Sequence, residues 1–502
     1  MVASSVAALV DEDIGSASVE PTHRWPTVVS WAYGLAVAAG LGHFLLGIPI
    51  QLTDSYGNML KLDAPWRDLL IGEFFQKSYL RPLLFAELKI VHDLSGGDFY
   101  AWYRGTHVLQ VCGVIALFLT LVRPRTWRDA AIVPVTVAMI VGSHTFVGTV
   151  NEAFPVNTFM TMLLCCLAAA NLSLMRHRWW VDVLVAALFV VAALTVETGL
   201  LVWVIVVAAA LAGARGVSPT GLIAVTALLA GYFVLRFGYL HVGSPTLIER
   251  SSGYGFGRLE PSELAALFGG TPIRFYLYNV AASAGSVLFA EPSDGTFRFI
   301  ASLVSGAPRL PQIIAVASSA ATTFLIATYI WQRRRAWLAR HFDRDDRLVV
   351  MFVALLIANA TLSYAYTKDV IMSPAGVLFA AAAFVALRWA MGPLGVFAER
   401  TSPYARWALV AVCVLLGVTW ALRAGRTHLA LRVMAQKVRT EWAYVNDQRI
   451  SDPDTASSNR DPSAARSHDD LRLLRALRSD ALFAHPNPRQ LRVTGSRWFE
   501  VD

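Results

Sequence analysis

A few ionisable residues interrupt an otherwise apolar chain, and their positions define the chemistry it can do. Asp54 lies just past the first long apolar segment, in QLTDSY, and the aromatic and basic stretch FFQKSYLRPL with Arg81 follows it. Glu152 and His144 share the stretch SHTFVGTVNEAFP, Glu197 sits in LTVETGL, and Arg236 sits in GYFVLRFGYL. Lys368 and Asp369 fall in YAYTKDVIMSP, and Arg250 lies in a long polar segment. Ionisable groups at membrane depth are costly and usually line a cavity. A carboxylate at the membrane surface beside aromatic and basic residues points to chemistry on a lipid-borne substrate.

These residues must be held by membrane-spanning elements. Of the 502 residues, 56% are hydrophobic and 16% charged, against about 25% charged in soluble domains. The mean hydropathy is +0.50. Repeated long apolar runs make this an all-α integral membrane protein, since the ten-residue alternation of a porin-type barrel is missing. Apolar segments near 28–48, 106–122, 130–146, 155–174, 179–196, 199–213, 219–240, 311–331, 348–365, 373–391 and 405–423 predict about 11 spans.

Arg123, Arg125 and Arg128 follow the second span, Arg176 and Arg178 the fourth, Arg215 the sixth, and Arg333–Arg335 the eighth. The short loops between, 147–154 and 195–199, hold no Lys or Arg. The positive-inside rule therefore puts the even loops in the cytoplasm and Asp54, Glu152, Glu197 and Arg236 outside. The net charge of +8 reports this topology, so no nucleic-acid partner is expected.

Residues 273–290 are apolar enough to pass for a span. Crossing there would move Arg333–Arg335 outside, so they read as part of an external segment, 241–310, lying along or dipping into the interface. The chain then divides into a cytoplasmic tail (1–27), a membrane module (28–423) with external loops 49–105 and 241–310, and an external or peripheral tail (424–502). Within that tail, 424–446 reads as a basic amphipathic helix on the membrane face, 450–468 as flexible, 469–483 as helical and 490–500 as a short strand.

Cys112, Cys165, Cys166 and Cys413 all fall in apolar runs and lack metal-ligand spacing. There is no P-loop, HExxH, CxxC pair, GxSxG or dinucleotide fingerprint, which argues against an ATPase, a zinc protease or a nucleotide-fuelled pump. No metal and no cofactor are expected.

The order of these motifs resembles a known family. Asp54, the Tyr79–Leu83 stretch YLRPL, His107, His144 with Glu152, TVET around Glu197, Tyr232 with Arg236, and Tyr366–Pro374 occur as in polytopic glycosyltransferases of the GT-C superfamily. The protein O-mannosyltransferase-like and transmembrane O-mannosyltransferase-like branch is the most similar. Four departures stand out: Asp54 is followed by Ser55 where many relatives carry a second acid, Val196 precedes Glu197 where many carry Lys, Thr367-Lys368-Asp369-Val370 stands where relatives carry an Arg-Tyr-Leu-Tyr-like stretch, and no tetratricopeptide tail follows.

The resemblance implies a GT-C-like helical bundle whose large first external loop carries amphipathic helices. It implies transfer of a sugar from a polyprenyl-phosphate-linked donor to a glycan, lipid or protein acceptor on the external face; the Ala, Val and Arg richness of the chain points to a bacterial inner membrane. Asp54 would be the general base of an inverting, metal-independent displacement. Arg236, Arg81, Lys368 and Arg250 would bind the donor phosphate, because cationic donors stabilise charge building on its oxygens. Glu152, Glu197, His144 and His107 would bind sugar hydroxyls, with Tyr56 and Trp66 stacking on sugar faces. An odd number of spans places the N-terminus inside and the C-terminus outside. The competing class is a lipid or glycan transporter, for which charges near mid-membrane on broken helices in inverted repeats are expected. Here the acids gather at span ends and no repeat is visible.

Overall fold

The structure, a computed structural model, describes residues 24–48, 62, 64–72, 80–95, 99–146, 158–241, 251–253, 257–259, 261–269, 272–290, 296–365, 367, 369–394 and 403–450. It is a helical bundle. In chain order the helices are α1 (Arg24–Leu46), α2 (Leu84–Ser95), α3 (Phe99–Val122), α4 (Trp127–Gly142), α5 (Thr158–Ser173), α6 (Trp179–Thr195), α7 (Leu201–Leu211) and α8 (Pro219–Phe233). They continue with α9 (Pro261–Phe268), α10 (Ile273–Phe289), α11 (Thr296–Val304), α12 (Leu310–Leu338), α13 (Arg344–Leu362), α14 (Ser373–Trp389) and α15 (Pro403–Ile450). A short antiparallel ribbon, β1 (Ser251–Gly253) and β2 (Gly257–Leu259), pairs Ser252 with Arg258. A helix occupies each of the eleven predicted apolar segments. Among the described residues, six stretches are long and apolar enough to cross a membrane: Arg24–Leu46, Trp102–Val122, Pro219–Tyr239, Leu310–Leu338, Asp369–Gly392 and Val410–Val433.

The bundle is organised around α14, which is buried from Ser373 to Leu387 and packs on α3, α4, α5, α12 and α13. A helix apolar on all faces belongs inside. Its alanine run lets neighbouring backbones approach, which matters where lipid tails compete with side chains for apolar contact. At Gly376 the approach is so close that a Cβ would lie 2.3 Å from Thr145 Oγ1.

One end of the bundle is basic and heavily bonded. Arg388 Nε donates to Asp129 Oδ1 (2.8 Å), its Nη1 pairs with Asp345 and its Nη2 donates to the Val122 carbonyl. Arg344 donates to the Leu121 and Leu174 carbonyls, and Arg347 to Ala212 O. Each guanidinium thus satisfies carbonyls that a helix C-terminus leaves open, and meets the negative end of its dipole. The adjacent N-termini are capped by side chains: Thr126 with Asp129, Asp343 with Asp346, and Ser218 ahead of Pro219. This gathers the loops after α3, α5, α7 and α12 at one end. The alternation read from the basic residues is therefore present in three dimensions.

Helix α10 enters from the opposite, far end. Asn279 Nδ2 donates to the Tyr364 carbonyl just beyond α13, while Leu288 O accepts from Thr323 Oγ1 of α12. Thr323 lies about 20 Å along α12 from its start at Leu310. Helix α10 therefore descends to the middle of α12, and α11 precedes the re-entry of α12 at the far end. Residues 273–290 do dip inward, and to greater depth than an interfacial helix. The tail departs from expectation differently. Residues 403–450 form one unbroken helix, so 424–446 continues the last span instead of starting a separate helix. His428 packs edge-on against Phe44, with ring centroids 3.8 Å apart, so α15 is still beside α1 there.

Candidate functional site

At the far end three ionisable side chains from distant parts of the chain converge. Arg81 precedes α2, and the Leu83 amide donates to the Leu194 carbonyl at the end of α6 (3.1 Å). This bond seats the Arg-Pro turn against the tight reversal between α6 and α7. The reversal is a 3₁₀ turn, Glu197–Leu200, and it needs Gly199, where a Cβ would lie 2.1 Å from the Ala192 carbonyl. Glu197 is thereby fixed two residues from a glycine that nothing larger replaces.

Arg81 grips Glu197 Oε2 through Nε (2.9 Å) and Nη2. Arg236 approaches the other oxygen, Oε1, at 3.5 Å. It comes from a π-helical turn, Val234–Tyr239, that extends α8; such turns re-aim side chains and recur at functional sites. Arg236 is 7% exposed and donates to Tyr232 Oη (2.8 Å). Burial alone would raise the Glu197 carboxyl, but the Arg81 charge and hydrogen bonds, with Arg236 behind them, hold it below the usual carboxylate range. Glu197 Oε1 and Arg236 Nε are both buried, with no hydrogen-bond partner among the described residues. Unused buried polar atoms of this kind call for an explanation.

A second polar group adjoins the first through α2. Glu87, one turn into that helix, accepts from Thr161 Oγ1 of α5 (3.0 Å), and Gln110 Nε2 of α3 donates to the same hydroxyl (3.2 Å). Burial pushes the Glu87 carboxyl up to about 7, and the Thr161 bond only partly offsets this.

Of the residues singled out from the sequence, the structure brings Arg81, Glu197 and Arg236 together. His107 is buried, with Nδ1 3.5 Å from Nη1 of Arg104, which is itself fully buried. His144 is half-buried just beyond the Ser143 cap of α4, next to Thr145, which meets Gly376. Trp66 donates from Nε1 to Asp93 Oδ2 of α2 (3.0 Å) and remains 38% exposed. Asp54, Tyr56, Glu152, Lys368 and Arg250 lie outside the described residues. Glu87 and Arg104 were not anticipated. The only local hint for Glu87 was its place one turn after Arg81-Pro82, and its partner Thr161 is 74 positions away. The described residues contain no group of three or more His, Cys, Asp or Glu able to hold a metal ion.

Comparison of the chain with protein-family models, with curated proteins and with solved structures finds no match.

Proposed function

We propose that the protein is a polytopic membrane glycosyltransferase of eleven spans. In this reading it moves a sugar from a polyprenyl-phosphate donor to an acceptor at the far end of the bundle, outside the cytoplasm. The Arg81–Glu197–Arg236 group carries the proposal. Two guanidiniums and one carboxylate leave a net charge of +1, which complements the single negative charge of a lipid phosphodiester. Arg236 Nε is a buried donor with no acceptor among the described residues, and a phosphate oxygen is the acceptor that chemistry of this kind supplies. The lipid chain lies against the bundle and the phosphate sits near the interface. Glu197 holds both arginines in place and shields them from each other.

In the transfer step the acceptor hydroxyl oxygen attacks the anomeric carbon while its proton passes to the Asp54 carboxylate. The bond from that carbon to the phosphate oxygen breaks, and its electron pair stays on the leaving lipid monophosphate. Arg236 and Arg81 stabilise that charge. A single displacement inverts the anomeric centre. Glu152, His144 and Trp66 contribute to sugar binding, and Lys368 and Arg250 add positive charge near the phosphate.

The reading is tested by donor binding to the purified protein. Arg236→Gln should weaken binding of polyprenyl-phosphate sugars at least about tenfold, since a charge-assisted hydrogen bond contributes roughly 1.5–3 kcal/mol. Undiminished affinity in both Arg236→Gln and Arg81→Gln would remove the phosphate site. One observation favours a second reading, a lipid or glycan transporter: α10 ends at mid-depth, as half-helices of transporters do. Cysteine labelling separates the two. A transporter shows accessibility that switches sides, whereas a transferase keeps its site open at the far end only.

A further inference from the structure

At the basic end, remote from the Arg81–Glu197–Arg236 group, a groove of about 600 Å³ opens between α1, α3, α5 and α6. Its walls are apolar, with Trp31, Leu117, Leu172 and Leu184 among them, and its rim carries Arg123 and Arg125. A volume of this order suits a small-molecule ligand. Four other arginines of this end are engaged: Arg388 with Asp129 and Asp345, Arg333 with Asp343 and Asp346, Arg344 and Arg347 on helix-end carbonyls. The Arg123 and Arg125 side chains make no ion pair or hydrogen bond among the described residues. The neighbouring carboxylate Asp129 accepts instead from the Arg125 and Thr126 amides and from Arg388.

The rim is also held rigidly. Arg123 adopts φ 51°, in the left-handed region that a β-carbon disfavours. Its amide is bonded to Leu119 O at 2.9 Å, and the Pro124 carbonyl accepts from Thr27 Oγ1 of α1 at 2.7 Å. Burial, and then the Arg125 charge, push the Arg123 guanidinium below its ordinary value, as befits a cation without a counter-ion. An apolar trough capped by two uncompensated cations, at the level where a helix bundle meets headgroups, has the chemistry of an anionic lipid site.

We propose that this groove binds an anionic phospholipid of the basic-end leaflet, its phosphate on Arg123 and Arg125 and an acyl chain along Trp31 and Leu172. The site is independent of sugar transfer.

Native mass spectrometry of the full-length, delipidated protein with phosphatidylglycerol or phosphatidylcholine tests it. Phosphatidylglycerol should be retained about thirtyfold better, the effect of two cations at the surface of a bilayer. Arg123→Gln/Arg125→Gln should fall to the phosphatidylcholine level, while Arg123→Lys/Arg125→Lys keeps most of the preference. Arg178→Gln, which removes an exposed charge at the same end but outside the groove, should change nothing. Ala168→Trp fills the groove and should abolish retention with both arginines intact. Millimolar glycerol phosphate should not displace the lipid. Equal retention of the two lipids, equal loss in Arg178→Gln, unchanged retention in Ala168→Trp, or displacement by glycerol phosphate would each overturn the proposal. If the double Gln variant fails to fold, Ala168→Trp and the competition decide.

Discussion

Replacing Glu197 with Gln removes one charge from the far-end group and little volume. The amide oxygen can still accept from Arg81, whose side chain is 31% exposed and partly solvated. Arg236 bears the loss, because its side chain is only 8% exposed and the carboxylate oxygen 3.5 Å away is its counter-charge. At that distance, with an effective dielectric constant near 20, the attraction is about 5 kcal/mol before desolvation. Stranding one member of a buried pair costs about 3–5 kcal/mol in other proteins. We expect Glu197→Gln to lower the unfolding free energy in mixed micelles by about 3 kcal/mol, the lower end of that range because Tyr232 still accepts from Arg236. Arg236→Gln/Glu197→Gln should recover part of this, with a coupling energy of about 1–3 kcal/mol. The pH dependence has a definite sign. The folded pKa of Glu197 is depressed, so its contribution is present above the unfolded carboxylate value and is lost as pH falls below about 4. A single variant within about 0.5 kcal/mol of wild type, or strict additivity in the cycle, would refute the pairing.

Glu87 should behave in the opposite sense. Its folded pKa of about 7 lies above the unfolded value of 4.5, so stability is full below the unfolded value and declines as pH rises through 7. Glu87→Gln should flatten that decline and gain up to about 3 kcal/mol at pH 8, read by unfolding curves at pH 5 and pH 8. Gly199→Ala forces a methyl into the Ala192 carbonyl and should cost about 1–3 kcal/mol while weakening donor binding, because Glu197 moves with the turn. Arg388→Gln strands the buried Asp129 and should destabilise by about 3 kcal/mol without changing donor affinity, which separates the basic-end clamp from the site.

Much of the architecture was legible because membrane helices declare themselves by length, hydropathy and flanking charge. At the end where the Arg-rich loops gather, Arg344, Arg347 and Arg388 bond to helix-end carbonyls, so the positive charge of that end also closes its helices. Residues 273–290 were harder. Their composition allows a span, and only the hydrogen bond from Thr323 to Leu288 shows how deep they go. In the sequence the last span ends at 423, where basic residues begin. Arg423 is nonetheless buried, donating to Ser318 and Ser319 with its guanidinium 3.8 Å from the Trp420 ring centre, so a polar residue did not mark the helix end. At the site, Glu197 and Arg236 stand out because each charge sits at a span end, and Arg81 because it follows Asp54 in the first external loop. That they meet depends on the Leu83–Leu194 bond and the π turn at 234–239, which no local pattern announces. Glu87 hid in an amphipathic helix, where most acids face water.

The central claim is sugar transfer at the far end, and the most direct test is turnover. Purified protein in detergent would be given a panel of radiolabelled polyprenyl-phosphate sugars, wild type beside Asp54→Asn, with sugar release followed over time. The account predicts turnover of at least one donor that is abolished in Asp54→Asn. Turnover of none, or a fully active Asp54→Asn protein, would contradict it.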